Sequence, residues 1–434
     1  MKISRRELIQ AGVLLPAAAP IARSANDRIR VGVIGTGARS HELMQALLQL
    51  PDAEIVAVVD AYKGRTERAV SRTGGRARVL PDYHAVLSDK SIDAVLVVTP
   101  DHWHKTMVTE AMRAGKDVYC EKPLTYRSSE GPEIIRAAKE SGRILQVGSQ
   151  GMSSLVQRKA KEIIQSGRLG QITCIRAAYN RNTASGAWIY PIPPDASPST
   201  VNWEMFLGSA PRRPFSLERF FRWRCYQDYS GGIATDLFVH LCTTIHFLMD
   251  AQVPAKAVAF GQRYRWKESR DVPDTLNAIL EYPEGFAVNL SSTFNNEHSS
   301  EAGFQILGTE GTLTLGDGVS FFPEDVHEDN GWIVASWPEA MEKAYYADAK
   351  IREAELPGTR KPRLKEGSQQ FQQEGLDPTI VHLAHWLESI RSRRPYWEDA
   401  AAGHHAAAVA HMVNQSARSG KLVHWDFTAG DIKA

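Results

Sequence analysis

Residues 29–40 read Ile-Arg-Val-Gly-Val-Ile-Gly-Thr-Gly-Ala-Arg-Ser, and the reading of this stretch decides the fold. Its first six residues form a short, mainly β-branched run suited to a buried strand. Gly35-Thr36-Gly37 follows, and then an amphipathic segment with Leu43, Ala46, Leu47 and Leu50 on one face. A strand that passes through a glycine turn into a helix is where a pyrophosphate belongs. Glycines let the backbone approach the phosphates, and the free amides and dipole of the helix start favour negative charge. Gly35, Thr36, Gly37, Ala38 and Arg39 are therefore candidate dinucleotide contacts. Ser40 stands at the third glycine position, a departure expected to loosen helix–strand packing. The alternative is a βα turn that binds nothing.

Working outward, the apolar run 55–59 ends at Asp60, 25 residues beyond Gly35. A carboxylate there accepts hydrogen bonds from ribose hydroxyls and repels a 2′-phosphate, which favours NAD over NADP. Lys63 and Arg65 stand close enough to keep NADP open. Strand-like runs at 94–98, 117–120 and 144–147 alternate with helical patterns at 103–114 and 128–141. That alternation predicts βαβ units and a doubly wound parallel sheet over 26–150. From about residue 170 strands follow one another, at 171–180, 255–265, 274–282, 285–293 and 302–315. Pro283-Glu284-Gly285 and Glu310-Gly311 supply turn signals. A second, α+β domain with a mainly antiparallel sheet is expected over 151–434. The polar stretch 350–372 reads as a long surface loop. Helical patterns at 378–392 and 399–418 are expected to pack back on the body.

The chain has 434 residues, enough for two or three domains. Its 51 Lys and Arg balance 50 Asp and Glu, which argues against a protein that lives on nucleic-acid phosphates. The cysteines, Cys120, Cys174, Cys225 and Cys242, are too dispersed for a disulfide scaffold or a CxxC zinc module and read as buried thiols. Ser4-Arg5-Arg6-Glu7-Leu8-Ile9 places two arginines before a weakly apolar run, and Ala22-Arg23-Ser24 offers a cleavage site. Residues 1–25 resemble a twin-arginine export signal, the alternative being an amphipathic tail. The expected location is the periplasm, with the twin-arginine machinery as a partner and no membrane span in the mature chain.

Two more strand ends point at the same crevice. Thr99-Pro100-Asp101-His102-Trp103-His104 follows 94–98, and Glu121-Lys122-Pro123 follows 117–120. Ligands of doubly wound sheets bind outside the carboxyl ends of the strands, so Thr99, Pro100, His104, Glu121 and Lys122 join the cofactor candidates. Alone, Lys122 also reads as a solvated loop lysine, although Pro123 restricts it to extended geometry. Further on, Gly231-Gly232 precedes a helical pattern whose buried face is Leu237, Leu241, Ile245 and Leu248. Asp236 and His240 are i, i+4 neighbours beside it. A carboxylate next to an imidazole holds the ring and favours its protonated form. The plain alternative is a surface pair.

Together the glycine turn, Asp60, the 99–104 stretch, Glu121-Lys122-Pro123 and residues 228–240 resemble the Gfo/Idh/MocA family of sugar and cyclitol oxidoreductases. The resemblance runs from about residue 28 to the end. It implies an N-terminal Rossmann domain, then a domain built on a large open antiparallel sheet that often forms the oligomer surface, hence a dimer or tetramer. It also implies Lys122, Asp236 and His240 as the catalytic group around a nicotinamide. His240 would take the hydroxyl proton as hydride leaves, Lys122 would stabilise the alkoxide, and Asp236 would orient His240 or grip a hydroxyl. Some relatives carry an aspartate three residues after the histidine, where this chain has Thr243.

Residues 181–230 are rich in aromatics, which pack on sugar faces or anchor a long loop. Trp103, Arg222, Trp223 and Tyr229 are the substrate-binding candidates, with Arg224 an alternative to Arg222. His102, His104, His404 and His405 lack the spacing of a metal site, and no metal is expected. An exported enzyme finds little free NAD, so a tightly bound, internally regenerated cofactor is expected. Such a protein oxidises one sugar and reduces another, or acts as an NAD-dependent glycosidase by oxidation, elimination and re-reduction. A non-catalytic NAD or sugar sensor is the third class.

Overall fold

The computed structural model describes residues 27–433 apart from 269, 299–302, 325–329, 355–367 and 373–374. The export signal expected at 1–25 lies outside them. The first sheet has six strands, β1 (Ile29–Ile34), β2 (Ala53–Val59), β3 (Arg78–Val79), β4 (Ala94–Val97), β5 (Asp117–Glu121) and β6 (Leu145–Gly148). Their order is β3-β2-β1-β4-β5-β6, with every neighbouring pair parallel. Every residue of β4 and β5 is buried, as expected of parallel strands covered by helices on both faces. Strand order reverses between β1 and β4, which opens a crevice at the carboxyl ends of these strands.

The second sheet has ten strands: β7 (Ile172–Ala178), β8 (Lys256–Gln262), β9 (Thr275–Glu281), β10 (Ala287–Thr293), β11 (Phe304–Gly308), β12 (Gly311–Leu315), β13 (Gly318–Pro323), β14 (Ser368–Gln372), β15 (Val423–Asp426) and β16 (Asp431–Ile432). The order is β14-β13-β12-β11-β7-β10-β9-β8-β15-β16. All named pairs are antiparallel except β7 with β10. Burial alternates along β9 and β10, so one face is packed and the other is free.

The far end of the chain closes the first domain. Asp377 accepts from Thr379 N (2.7 Å) and Pro378 opens the helix Pro378–Ser392, a well-capped start. This helix buries Ile380, Leu383, Trp386 and Leu387 in one cluster with Val31, Leu43 and Leu47. The Trp386 indole donates to Val118 O (3.2 Å). The helix Ala400–Ser419, capped by Asp399, instead puts Ala406, Val409, Met412 and Val413 into the core of the second sheet.

Several expectations are corrected. Residues 350–372 are not simply a loop: Ala349–Ala354 is helical, and β14 pairs with β13. Ser-Gln-Gln-Phe-Gln carries no period-two signal, so only backbone pairing at the sheet edge reveals it. β11 and β12 meet at the Glu310-Gly311 turn, where the sequence placed a turn signal. Strands β3, β13, β15 and β16 escaped the sequence reading because they are short or half-polar. All four cysteines are free, with Cys120, Cys225 and Cys242 buried. Among the described residues no helix is long and apolar enough to cross a membrane.

Because Trp386 is fully buried and satisfied, Trp386→Ala is expected to cost about 3–5 kcal/mol in urea unfolding. A loss below about 1 kcal/mol would show that the Pro378–Ser392 helix is not part of the first core.

Candidate active site

At the end of β1, Gly35 has φ +86°, and an added Cβ would lie 2.5 Å from Val98 O, so only glycine fits. Gly37 caps the helix Ala38–Leu47 without any side-chain cap. An added Cβ at Gly37 would meet only Arg65, at 3.7 Å, so the protein leaves room there for a ligand's approach. The buried hydroxyls of Ser40 and Thr99 and the Arg39 Nη2, all at the cavity wall, find no protein partner. Uncapped amides with unpartnered donors beside them fit a bound pyrophosphate. Ser40 is itself fully buried, so the departure from glycine is accommodated.

The neighbouring groups fit the rest of a dinucleotide. Asp60 accepts from Thr36 N (2.7 Å) and Tyr62 N (2.9 Å), which fixes its carboxylate at the cavity wall, while Arg65 stands 3.7 Å away. Glu121, almost fully buried, accepts from Arg39 Nε (2.8 Å) and so ties the end of β5 to the first helix.

A cavity of about 800 Å³ runs from the glycine turn to the second domain. Lys122 enters it beside a cis Lys122-Pro123 peptide. The Lys122 Nζ donates to the Asp236 carbonyl oxygen (2.7 Å) and to Asp236 Oδ1 (2.9 Å). Arg224 Nε donates to the same Oδ1 (3.0 Å). Asp236 lies in a π-helical turn, Ala234–Phe238, ahead of the α-helix Val239–Met249. Such widened turns recur at functional sites. Burial opposes ionisation of Asp236, but Lys122 and Arg224 outweigh it and hold the carboxyl well below the usual range.

His240 lines the same cavity, yet its partner is not Asp236: neither ring nitrogen hydrogen-bonds a protein group among the described residues. Burial, followed by the field of Lys122, pushes its pKa down to about 3, and Asp236 only partly opposes this. The expectation of an aspartate-held, readily protonated imidazole is thereby corrected. The carboxylate is spent on two cations, and the ring is neutral.

Of the other candidates, Gly35, Gly37, Ala38, Arg39, Asp60, Thr99, Pro100, Trp103, Glu121 and Trp223 line the cavity. Four do not. Thr36 acts through its backbone on Asp60. His104 is buried, with Nδ1 against Pro123 O (2.6 Å) and Nε2 against Thr99 O (2.9 Å), a brace between two strand ends. Arg222 points away, donating to Tyr190 O (2.9 Å) and Glu218. Tyr229 is fully buried against Phe206 and His102. The 181–230 segment still forms a wall, through Trp188, Tyr190, Phe206, Phe220 and Phe221. It crosses to the first domain, where Asn202 N donates to Ala61 O (2.7 Å) and Trp103 Nε1 to Phe206 O (2.9 Å). Arg181 also lines the cavity and was missed, since a single arginine after a strand gives no pattern to read. Among the described residues no group of three or more His, Cys, Asp or Glu side chains is placed to hold a metal.

Two family profiles match the chain, one described as "Oxidoreductase family, NAD-binding Rossmann fold" over residues 29–149 and one as "GFO/IDH/MocA C-terminal domain" over 198–314. The chain belongs to the Gfo/Idh/MocA family. Among similar family proteins is a 1,5-anhydro-D-fructose reductase of Ensifer adhaerens, 25% identical over 284 residues, or 65% of this chain and 74% of that one. Another is a scyllo-inositol 2-dehydrogenase (NAD(+)) of Bacillus subtilis, 26% identical over 293 residues, or 67% of this chain and 74% of that one. A solved levoglucosan dehydrogenase in complex with NADH and levoglucosan superposes with TM-score 0.65 at 19% identity, covering 92% of this chain and 99% of that one. That likeness shows the shared fold.

The lowered histidine pKa values carry a sign. An unfolded histidine titrates near 6.5, whereas His240 folded titrates near 3 and His102, His382, His404 and His411 near 4, burial being the first cause in each. Between those values the unfolded chain binds protons that the folded chain does not. Stability from these groups is complete above pH 6.5 and is lost as pH falls toward 3–4. The urea midpoint is expected to fall between about pH 7.5 and about pH 5, with net proton uptake on unfolding seen by calorimetry. A midpoint that holds or rises contradicts the assignment.

Proposed function

We propose that this protein moves a hydride between a hydroxyl-bearing carbon of a sugar, cyclitol or glycoside and NAD, with Lys122, His240 and Asp236 at the reacting carbon. One observation carries the reading: a lysine from the parallel-sheet domain and an imidazole from the second domain open into one cavity that begins at a dinucleotide-shaped turn. The relatives support it, since the substrates in their names are polyhydroxylated rings.

NAD, held by the Gly35–Arg39 turn and Asp60, would supply the hydride acceptor when bound. The protein's residues do the rest. An ammonium has three donors, and Asp236 engages two of those on Lys122. The third is free to donate to the substrate oxygen and stabilise the negative charge that grows on it. His240, kept neutral, accepts the hydroxyl proton as the carbon–hydrogen bond breaks. The imidazole of His240 would thus hold the hydroxyl proton while the Lys122 ammonium holds the substrate oxygen. Asp236 is a positioning residue that holds Lys122 and Arg224. The aromatic wall covers the apolar face of the ring. The fixed carboxylate of Asp60 favours NAD over NADP.

Lys122→Ala and His240→Ala are each expected to lower kcat about 10²–10⁴-fold while bound NAD is retained. Reduction of bound NAD by substrate at the wild-type rate in both variants would end the assignment.

The Ser4-Arg5-Arg6 signal supports export of the folded, NAD-loaded protein to the periplasm through the twin-arginine machinery. The free face of the large sheet, with Phe260 and Ile279 exposed on it, supports a dimer or tetramer. Replacing Arg5 and Arg6 with lysine is expected to keep the protein in the cytoplasm. Its appearance in the periplasmic fraction despite the change would contradict export by this route.

A further inference from the structure

The charges lining the cavity pair off unevenly along its length. At the glycine-turn end, Arg65 faces Asp60 and Arg39 bridges Glu121 and Glu42. At the other end Lys122 and Arg224 share the single carboxylate of Asp236. Arg181 lines that end too, and among the described residues no carboxylate pairs with it.

The Arg181 side chain is held in place. Its backbone N donates to Thr293 O (2.9 Å), its guanidinium lies over the Tyr179 ring, 5.1 Å from the centroid, and Nη1 donates to Gly186 O (3.2 Å). One of five N–H donors is thereby used, leaving the planar fork available to the cavity. Its field reaches both Asp236 and His240. Asp101, buried behind Thr235, is the other acid whose field meets Lys122 and Arg224. Even with Asp101 ionised, three cations stand against two carboxylates, and His240 contributes no compensating charge. A half-buried excess of positive charge in a cleft attracts an anion.

We infer that the substrate carries a carboxylate, as an acidic sugar or polyol does, and that Arg181 receives it as a specificity-determining residue. This rests on the oxidoreductase reading above and narrows it. The pyrophosphate does not account for Arg181, since the uncapped helix start at the opposite end of the cavity provides for it. The carboxylate takes two N–H donors of the guanidinium in a fork, which places the ring against the aromatic wall and a neighbouring hydroxyl within reach of Lys122 and His240.

The test uses the NAD-loaded protein and two matched pairs of probes, D-glucuronate with D-glucose and D-galacturonate with D-galactose. Binding is followed by calorimetry, and turnover by nicotinamide absorbance. Each acid is expected to bind about tenfold or more tightly than its neutral partner, with the preference shrinking at high salt. Arg181→Gln is expected to abolish the preference and Arg181→Lys to keep part of it, with NAD still bound in both. Equal or weaker binding of the acids overturns the inference, as does loss of NAD rather than of the acid preference in Arg181→Gln. Acids that bind preferentially without ever reducing NAD leave the charge preference standing and count against the oxidoreductase reading instead. Should Arg181→Gln fail to fold, the acid-to-neutral ratio and its salt dependence in the wild-type protein decide the matter.

Discussion

The Lys122 ammonium bonded to the carbonyl and carboxylate of Asp236 is the contact on which the site depends. It joins the end of a parallel strand in one domain to the first turn of a helix in the other. Both partners are largely removed from water, the side chains of Lys122 and Asp236 being 10% and 13% exposed. A pair at this depth is worth little as net stabilisation, because desolvation offsets most of its attraction. Its value is geometric. It fixes where the ammonium stands relative to the crevice, and it can form only when both domains have docked.

The rest of the site follows from that constraint. Asp236, spent on Lys122 and Arg224, has no strong hold on His240, so burial and a nearby cation keep the imidazole neutral. A neutral ring is an acceptor, which is what removal of a hydroxyl proton requires. The π-helical turn puts Asp236 where its carbonyl and its carboxylate both meet the lysine. The aromatic segment, with Asn202 bonded across to Ala61, ties the second domain to the first and lines one wall of the cavity. At that end Lys122 and Arg224 share one carboxylate, and Arg181 lines the cavity beside them.

Much of this was legible in the chain. The β1 strand, its glycine turn and Asp60 lie within 32 residues and are read by short-range rules of periodicity and turn chemistry. The strand-end motifs at Thr99 and Glu121 follow from the same alternation. The weaker parts were elements with no period of their own. β14 is a polar edge strand made by pairing alone, and Tyr229 and His104 look like site residues in sequence but are fully enclosed. An aromatic ring or an imidazole carries the same letter whether it faces a substrate or a core.

The sequence by itself determined the doubly wound domain and the dinucleotide turn with its acid, and it singled out Lys122, Asp236 and His240, which the structure brings to one cavity. Neighbours along the chain suffice for these, since strands, turns and helices are specified over a few residues. Only the tertiary structure decided that Asp236 serves Lys122 and Arg224 rather than His240, that Arg222 turns away while Arg181 faces inward, and that the histidine is neutral. Those outcomes rest on burial and on contacts that the docking of the two domains creates, such as Lys122 with Asp236, 114 positions apart, which no local pattern encodes.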